Sequence, residues 1–140
     1  MSKLYTTEAI STGEGRNGHV RTVDGVFEAD LAVPKEMGGP GGEKTNPEQL
    51  FAAGYAACFH NGLRLIAGQR KLRLADSTVT ATVSLLAIED GRFSLEVSLD
   101  AHLPGLTQAE AEDLVAATHQ VCPYSNSTRG NIEVHLRTTV

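Results

Sequence analysis

The stretch from Thr45 to Gly68 constrains this chain more than any other, because it reads as one long helix almost without charge. Thr45 or Asn46 can cap it, each with a partner three residues on (Glu48 or Gln49), and Pro47 suits a first helical turn. Gly68 is placed to end it. Between them run Ala52, Ala53, Gly54, Ala56 and Ala57, then Cys58 in the middle. A helix so poor in charge is predicted to be buried among other elements, which puts Cys58 indoors.

The segments around it read as sheet. Residues 3–12 and 19–33 are predicted strands, with Asp24-Gly25 as a hairpin turn in the second. Pro34 to Lys44 is a glycine-rich loop long enough to suggest function. From Ser77 to Ile88, Val79, Ala81, Val83 and Leu85 alternate with Thr78, Thr80, Thr82 and Ser84, the period of a half-buried strand. Asp90-Gly91 turns it into a partner strand from Phe93 to Leu99. Thr107 with Glu110 forms a capping box for a helix to about Val121, and Pro123 stops it. A polar run follows, then a last strand from Ile132 to Thr138. Hairpins without regular β-α-β alternation predict an α+β fold with largely antiparallel sheet. At 140 residues a single domain, 1–140, is expected.

Charge excludes some partners. A net charge of −5 argues against nucleic acid or an anionic membrane. Met1 to Thr6 opens no apolar signal region, so a cytoplasmic location is expected. Two cysteines in such a setting are more often free, catalytic or redox-active than a static staple.

Three motifs compete for the chemistry. Gly13-Glu14-Gly15-Arg16-Asn17-Gly18 matches the dinucleotide fingerprint, but a strand follows it where a helix is needed. Gly41-Gly42-Glu43-Lys44-Thr45 hints at a phosphate loop, yet Glu43 would oppose a phosphate. Cys58, His60, His119 and Cys122 form a soft ligand set. However, residues two apart on a helix point about 200° from each other, so Cys58 and His60 grip one ion poorly. A metal-binding protein therefore stays an alternative. Cys58 could equally be a small core residue. What favours chemistry is the company available to it: Arg16 in a glycine loop, and Glu48 on the uncharged helix, where a carboxylate needs a partner. An arginine can satisfy that carboxylate bidentately and can also stabilise a thiolate.

The stretch from Asn46 to Phe59, with Pro47-Glu48-Gln49 and Ala56-Ala57-Cys58 within it, resembles a motif of the organic hydroperoxide resistance (Ohr) proteins of the OsmC superfamily. Val121-Cys122-Pro123-Tyr124-Ser125-Asn126-Ser127-Thr128-Arg129-Gly130-Asn131 resembles their second motif, with Ser127 where alanine is expected. The resemblance implies an OsmC-like fold, sheets wrapped around long central helices in an intertwined homodimer. It also implies a thiol peroxidase for organic hydroperoxides, with Cys58 as the peroxidatic and Cys122 as the resolving cysteine. Arg16 and Glu48 match the pair that activates Cys58. No bound cofactor is implied; the reductant would be dihydrolipoamide on a lipoylated protein. A redox sensor or ligand-binding module on the same fold is the alternative.

Geometry adds an expectation about assembly. Glu48 and Cys58 are ten residues apart, about 15 Å on a straight helix. Two such helices packed antiparallel about Ala53 would bring Glu48 of one copy towards Cys58 of the other, so a composite site at a dimer interface is expected. An apolar pocket for organic substrates would draw on Phe51, Tyr55, Phe59, Met37 and Tyr124, and the Gly38 to Gly42 loop is a candidate lid.

Overall fold

Short, turn-separated segments at the start of the chain fold into a small meander. In the computed structural model, which describes residues 1–140, strands β1 (Ala9–Thr12), β2 (His19–Thr22) and β3 (Glu28–Asp30) pair antiparallel in that order. The Asp24 carboxylate accepts from the Thr22 hydroxyl at 2.7 Å and the Val26 N–H at 3.0 Å, which closes the β2–β3 turn. Sheet is shorter here than the predicted spans 3–12 and 19–33. Pairing stops at Ala9 because β2 offers it only four residues, and Leu31 leaves the hairpin for a parallel bridge to Thr45. The dinucleotide-like glycines form a 3-10 turn, Gly15–Asn17, between two strands. A Cβ on Gly18 would stand 2.2 Å from the Thr12 carbonyl oxygen, so packing of the chain on itself accounts for that glycine.

The chain groups into two units, 1–50 and 51–140. Helix α1 (Pro47–Gln69) begins at the end of the first and continues unbroken into the second. Asn46 caps it by accepting from the Gln49 N–H at 2.9 Å, and the Thr45 hydroxyl donates to the Gln49 side chain at 2.8 Å. The helix passes through Gly68, its predicted end. Lys71 takes the left-handed turn instead (φ 58), with its N–H on the Gly68 carbonyl and the Leu72 N–H on that of Ala67. This is a Schellman exit, anchored because Leu72 packs against the core. Burial also differs from expectation: Tyr55, Phe59, Leu63, Ile66 and Ala67 are buried, but Ala53, Ala57, Asn61, Leu65 and Gly68 are exposed along the opposite face. One chain covers only one face of this charge-poor helix.

In residues 51–140 a second sheet has the order β4 (Thr78–Ala87), β5 (Phe93–His102), β6 (Val134–Thr139). β4 and β5 pair antiparallel across a turn in which Asp90 and Gly91 are both left-handed, as an Asp-Gly turn prefers. β6 runs parallel to β5, in register from Val97 with Val134 to His102 with Thr139, and β5 reaches His102 rather than the expected Leu99. A parallel pair needs a long crossover, here carrying helices α2 (Gln108–Val121) and α3 (Pro123–Thr128). The capping box forms: the Glu110 N–H donates to the Thr107 hydroxyl, and the Thr107 N–H to the Glu110 carboxylate. Pro123 ends α2 and then serves as the first residue of α3, where its missing N–H costs nothing. By sequence alone that segment is only a polar run. Tyr55, Phe59, Leu63, Val97, Leu99, Leu103, Leu114 and Cys122 make the core. The fold is α+β, and its strands pair antiparallel except at β5–β6 and the single Leu31–Thr45 bridge. No helix is long and apolar enough to cross a membrane.

Candidate active site

Cys58 projects from the middle of α1 and Cys122 sits at the junction of α2 and α3. Both are free thiols, Cys122 fully buried and Cys58 half-buried, and their sulfurs are 3.7 Å apart. That is contact distance for two unbonded sulfurs, against about 2.05 Å in a disulfide. Burial pushes the Cys58 thiol above its ordinary pKa; the Tyr124 N–H, donating to it, pulls the other way, and the Cys122 thiol adds to the rise. Two adjacent reduced thiols can exchange with a disulfide or capture an oxidised sulfur, but Cys58 is not activated by these neighbours alone.

Within residues 1–50 the structure joins the two charged candidates. Arg16, in the 3-10 turn, reaches Glu48 in the first turn of α1 with two parallel bonds, Nη1 to Oε2 at 2.8 Å and Nη2 to Oε1 at 2.7 Å. The guanidinium holds the Glu48 carboxyl below its usual range, and Glu48 raises Arg16 in turn. Both therefore stay charged at neutral pH, a planar fork with the guanidinium about a third exposed and the carboxylate mostly covered.

The four soft ligands do not gather. Cys58 meets Cys122, while His60 bonds the Ser77 hydroxyl at 2.9 Å and His119 the Ser125 hydroxyl at 2.8 Å. Of the candidate pocket residues, Tyr55 and Phe59 are sealed in the core and Met37 is exposed in the first unit. Phe51 and Tyr124 instead line a cavity of about 530 Å³, with Leu95 and Ile132 beside them. Tyr124 stands edge-on to Phe51, its hydroxyl over Gly54; a Cβ there would be only 2.7 Å from that oxygen. Sequence reasoning also missed a buried hydroxyl group of residues, Ser125 and Thr128, on which the Tyr55 hydroxyl converges. Their signal in the sequence was only a polar run after Cys122, which a surface loop would show equally.

An α+β scaffold thus holds two free thiols in contact, and comparison with known proteins places the chain in a family. The model for OsmC-like proteins matches residues 39–137. The organic hydroperoxide resistance protein-like 2 of Staphylococcus epidermidis is 48% identical over 139 residues, covering 99% of this chain and 97% of that one. The organic hydroperoxide resistance protein of Xanthomonas axonopodis pv. citri is 48% identical over 134 residues, 95% and 93% of the two chains. The crystal structure of an organic hydroperoxide resistance protein from Legionella pneumophila has a TM-score of 0.95 at 55% identity, covering 99% of this chain and 100% of that one. The chain belongs to the OsmC/Ohr family.

Proposed function

We propose that the protein is a peroxidase that reduces organic hydroperoxides to alcohols with its own two thiols. The observation that carries this reading is the 3.7 Å approach of a half-buried Cys58 to a fully buried Cys122, both reduced. The names of the relatives give the substrate class. The Cys58 thiolate attacks the distal peroxide oxygen; the O–O bond breaks, alkoxide leaves and takes up a proton as alcohol, and Cys58 becomes a sulfenic acid. The Cys122 sulfur then displaces hydroxide from Cys58, which leaves as water with the Cys122 proton, and the disulfide forms before over-oxidation. A dithiol, dihydrolipoamide on a lipoylated protein, restores both thiols and becomes the cyclic disulfide.

Activation needs an outside cation. An ordinary cysteine of pKa ~8.5 is about 7% thiolate at pH ~7.4, so full ionisation gains at most roughly 13-fold, or about 1.5 kcal/mol. Burial raises Cys58 further, so more is required of its activator. Arg16, oriented by Glu48, fills that role from a second copy of the chain. The uncovered stripe Ala53, Ala57, Asn61 on an unbroken α1 supports a helix pair about a two-fold near Ala53, which turns Glu48 of one copy towards Cys58 of the other. Small side chains permit that close approach. The apolar cavity beside Phe51 and Tyr124 suits an alkyl or aryl group better than hydrogen peroxide.

Steady-state consumption of cumene hydroperoxide with dihydrolipoamide tests the reading, with hydrogen peroxide and glutathione as comparisons. Fast turnover confined to the organic peroxide and the lipoyl dithiol is expected. Disulfide formation without sustained turnover would make the protein a sensor. A monomer in solution with full activity would remove the composite site.

A further inference from the structure

Two buried hydroxyls stand three residues from the two sulfurs. Tyr55 precedes Cys58 on α1, and Ser125 follows Cys122 on α3. Neither has any solvent exposure, and their oxygens are 2.8 Å apart. Ser125 Oγ also bonds His119 Nδ1 at 2.8 Å, in the last turn of α2. Thr128 donates its proton to the Ser125 carbonyl at 3.1 Å and offers its oxygen to Tyr55 at 3.4 Å. No buried side-chain polar atom is left without a partner. One hydroxyl cluster therefore ties together α1, the end of α2 and α3, the elements that carry both thiols. Phenylalanine and alanine would fill the same space without desolvating polar atoms; what the bonded pair adds is direction, since a buried donor and acceptor tolerate only the arrangement that pairs them.

We propose that the Tyr55–Ser125 hydrogen bond, braced by His119, positions Cys122 for closure onto Cys58. Its use in catalysis rests on the peroxidase reading; its effect on the thiol pair does not. Closing the sulfurs from 3.7 Å to about 2.05 Å needs small side-chain rotations as long as α3 keeps its place. A loosened α3 lets Cys122 wander and lowers its effective concentration at Cys58. The sulfenic acid would then meet a second peroxide more often, which adds an oxygen to give sulfinic acid and releases a second alcohol.

The test begins without peroxide. Oxidised glutathione equilibrates with the reduced protein, giving the Cys58–Cys122 disulfide and two reduced glutathiones. Tyr55→Phe and Ser125→Ala should each lower that equilibrium constant about tenfold, about 30 mV in potential. The double variant should lose no more than Ser125→Ala alone, because that change already removes the Tyr55–Ser125 bond. In excess cumene hydroperoxide, the same variants should show a larger share of Cys58 sulfinic acid by mass spectrometry, with closure reduced far more than the first oxidation. An unchanged equilibrium in folded single variants, or additive losses in the double, would overturn the proposal. If Tyr55→Phe does not fold, Ser125→Ala carries the comparison alone. A wild type that consumes no hydroperoxide, with variants that still shift the glutathione equilibrium, would sink the peroxidase and keep the tie.

Discussion

Arg16 and Glu48 meet through charge on a partly open surface, whereas a half-buried Cys58 and a fully buried Cys122 meet through packing at the edge of the core. In residues 1–50 only Leu31 and Ala32 are buried, and Arg16 sits in a turn flanked by glycines. In residues 51–140 a continuous core encloses Cys122 and touches Cys58. The difference is between a group placed by a long-range force and one placed by contact. A bidentate ion pair survives small movements of its loop but responds to pH and salt. A sulfur–sulfur contact held by packing responds chiefly to changes of volume or hydrogen bonding around it. Substitutions in the two regions should therefore fail in different ways.

Cys58→Ser should show the largest effect, with hydroperoxide consumption at background. Cys122→Ser should consume no more than two equivalents and stop, the first giving Cys58 sulfenic acid and the second sulfinic acid; mass spectrometry after a peroxide titration separates the two variants. Arg16→Lys comes next. It keeps the charge but loses the planar fork, so kcat/KM should fall about 100-fold, the scale of one lost transition-state donor. The thiolate fraction at neutral pH, followed by ultraviolet absorbance, should fall much less than the rate. Equal losses in rate and ionisation would leave Arg16 no part in stabilising the departing alkoxide.

What could be read beforehand was local. The Thr107–Glu110 capping box, the Asn46 cap and the Asp90-Gly91 turn each depend on residues within a few positions, and all appear in the fold. The alternation of residues 78–85 correctly marked a half-buried strand. Whether β6 would lie parallel or antiparallel to β5 depends on the route of the α2–α3 crossover, which no strand pattern encodes. α3 was hidden because Ser125, Asn126, Ser127 and Thr128 are weak helix formers, and the bonds from Tyr55 that hold two of them come from seventy residues away. Lys71 rather than Gly68 ends α1 because the exit is set by where Leu72 finds the core. At the site, both sulfurs and the arginine–carboxylate pair were nameable from residue types and motif resemblance. Their distances were not, nor was the buried hydroxyl cluster beside them.

Gly54→Ala would test the packed region without touching a thiol. Its new methyl would stand 2.7 Å from the Tyr124 hydroxyl and little over 3.2 Å from the ring. The aromatic ring must tilt, and Tyr124 is the residue whose N–H contacts Cys58. A loss on the order of 1 kcal/mol in urea denaturation is expected, because the partly exposed Tyr124 ring can give way and alanine is the better helix former. Tyr124→Phe removes the nearest colliding atom and should recover part of it in the double variant. Independent, additive losses would show that Tyr124 is not what requires glycine there.

The charged region gives the smallest effect, and its sign follows from Glu48. Arg16 holds the folded carboxyl below its unfolded value, so the unfolded chain binds its proton at the higher pH. The pair's contribution is then complete above the ordinary carboxylate range, near pH ~4.3, and is lost as pH falls through the lower folded value. Glu48→Gln never ionises and has no such contribution to lose. The wild-type advantage in Tm over Glu48→Gln should be constant from pH 8 to 5 and should shrink as pH falls below about 4.3. Because Arg16 is more than a third exposed, the advantage should also narrow in high salt. A difference that grows on acidification would mean that Glu48 is held protonated, and that the fork is not the ion pair its geometry describes.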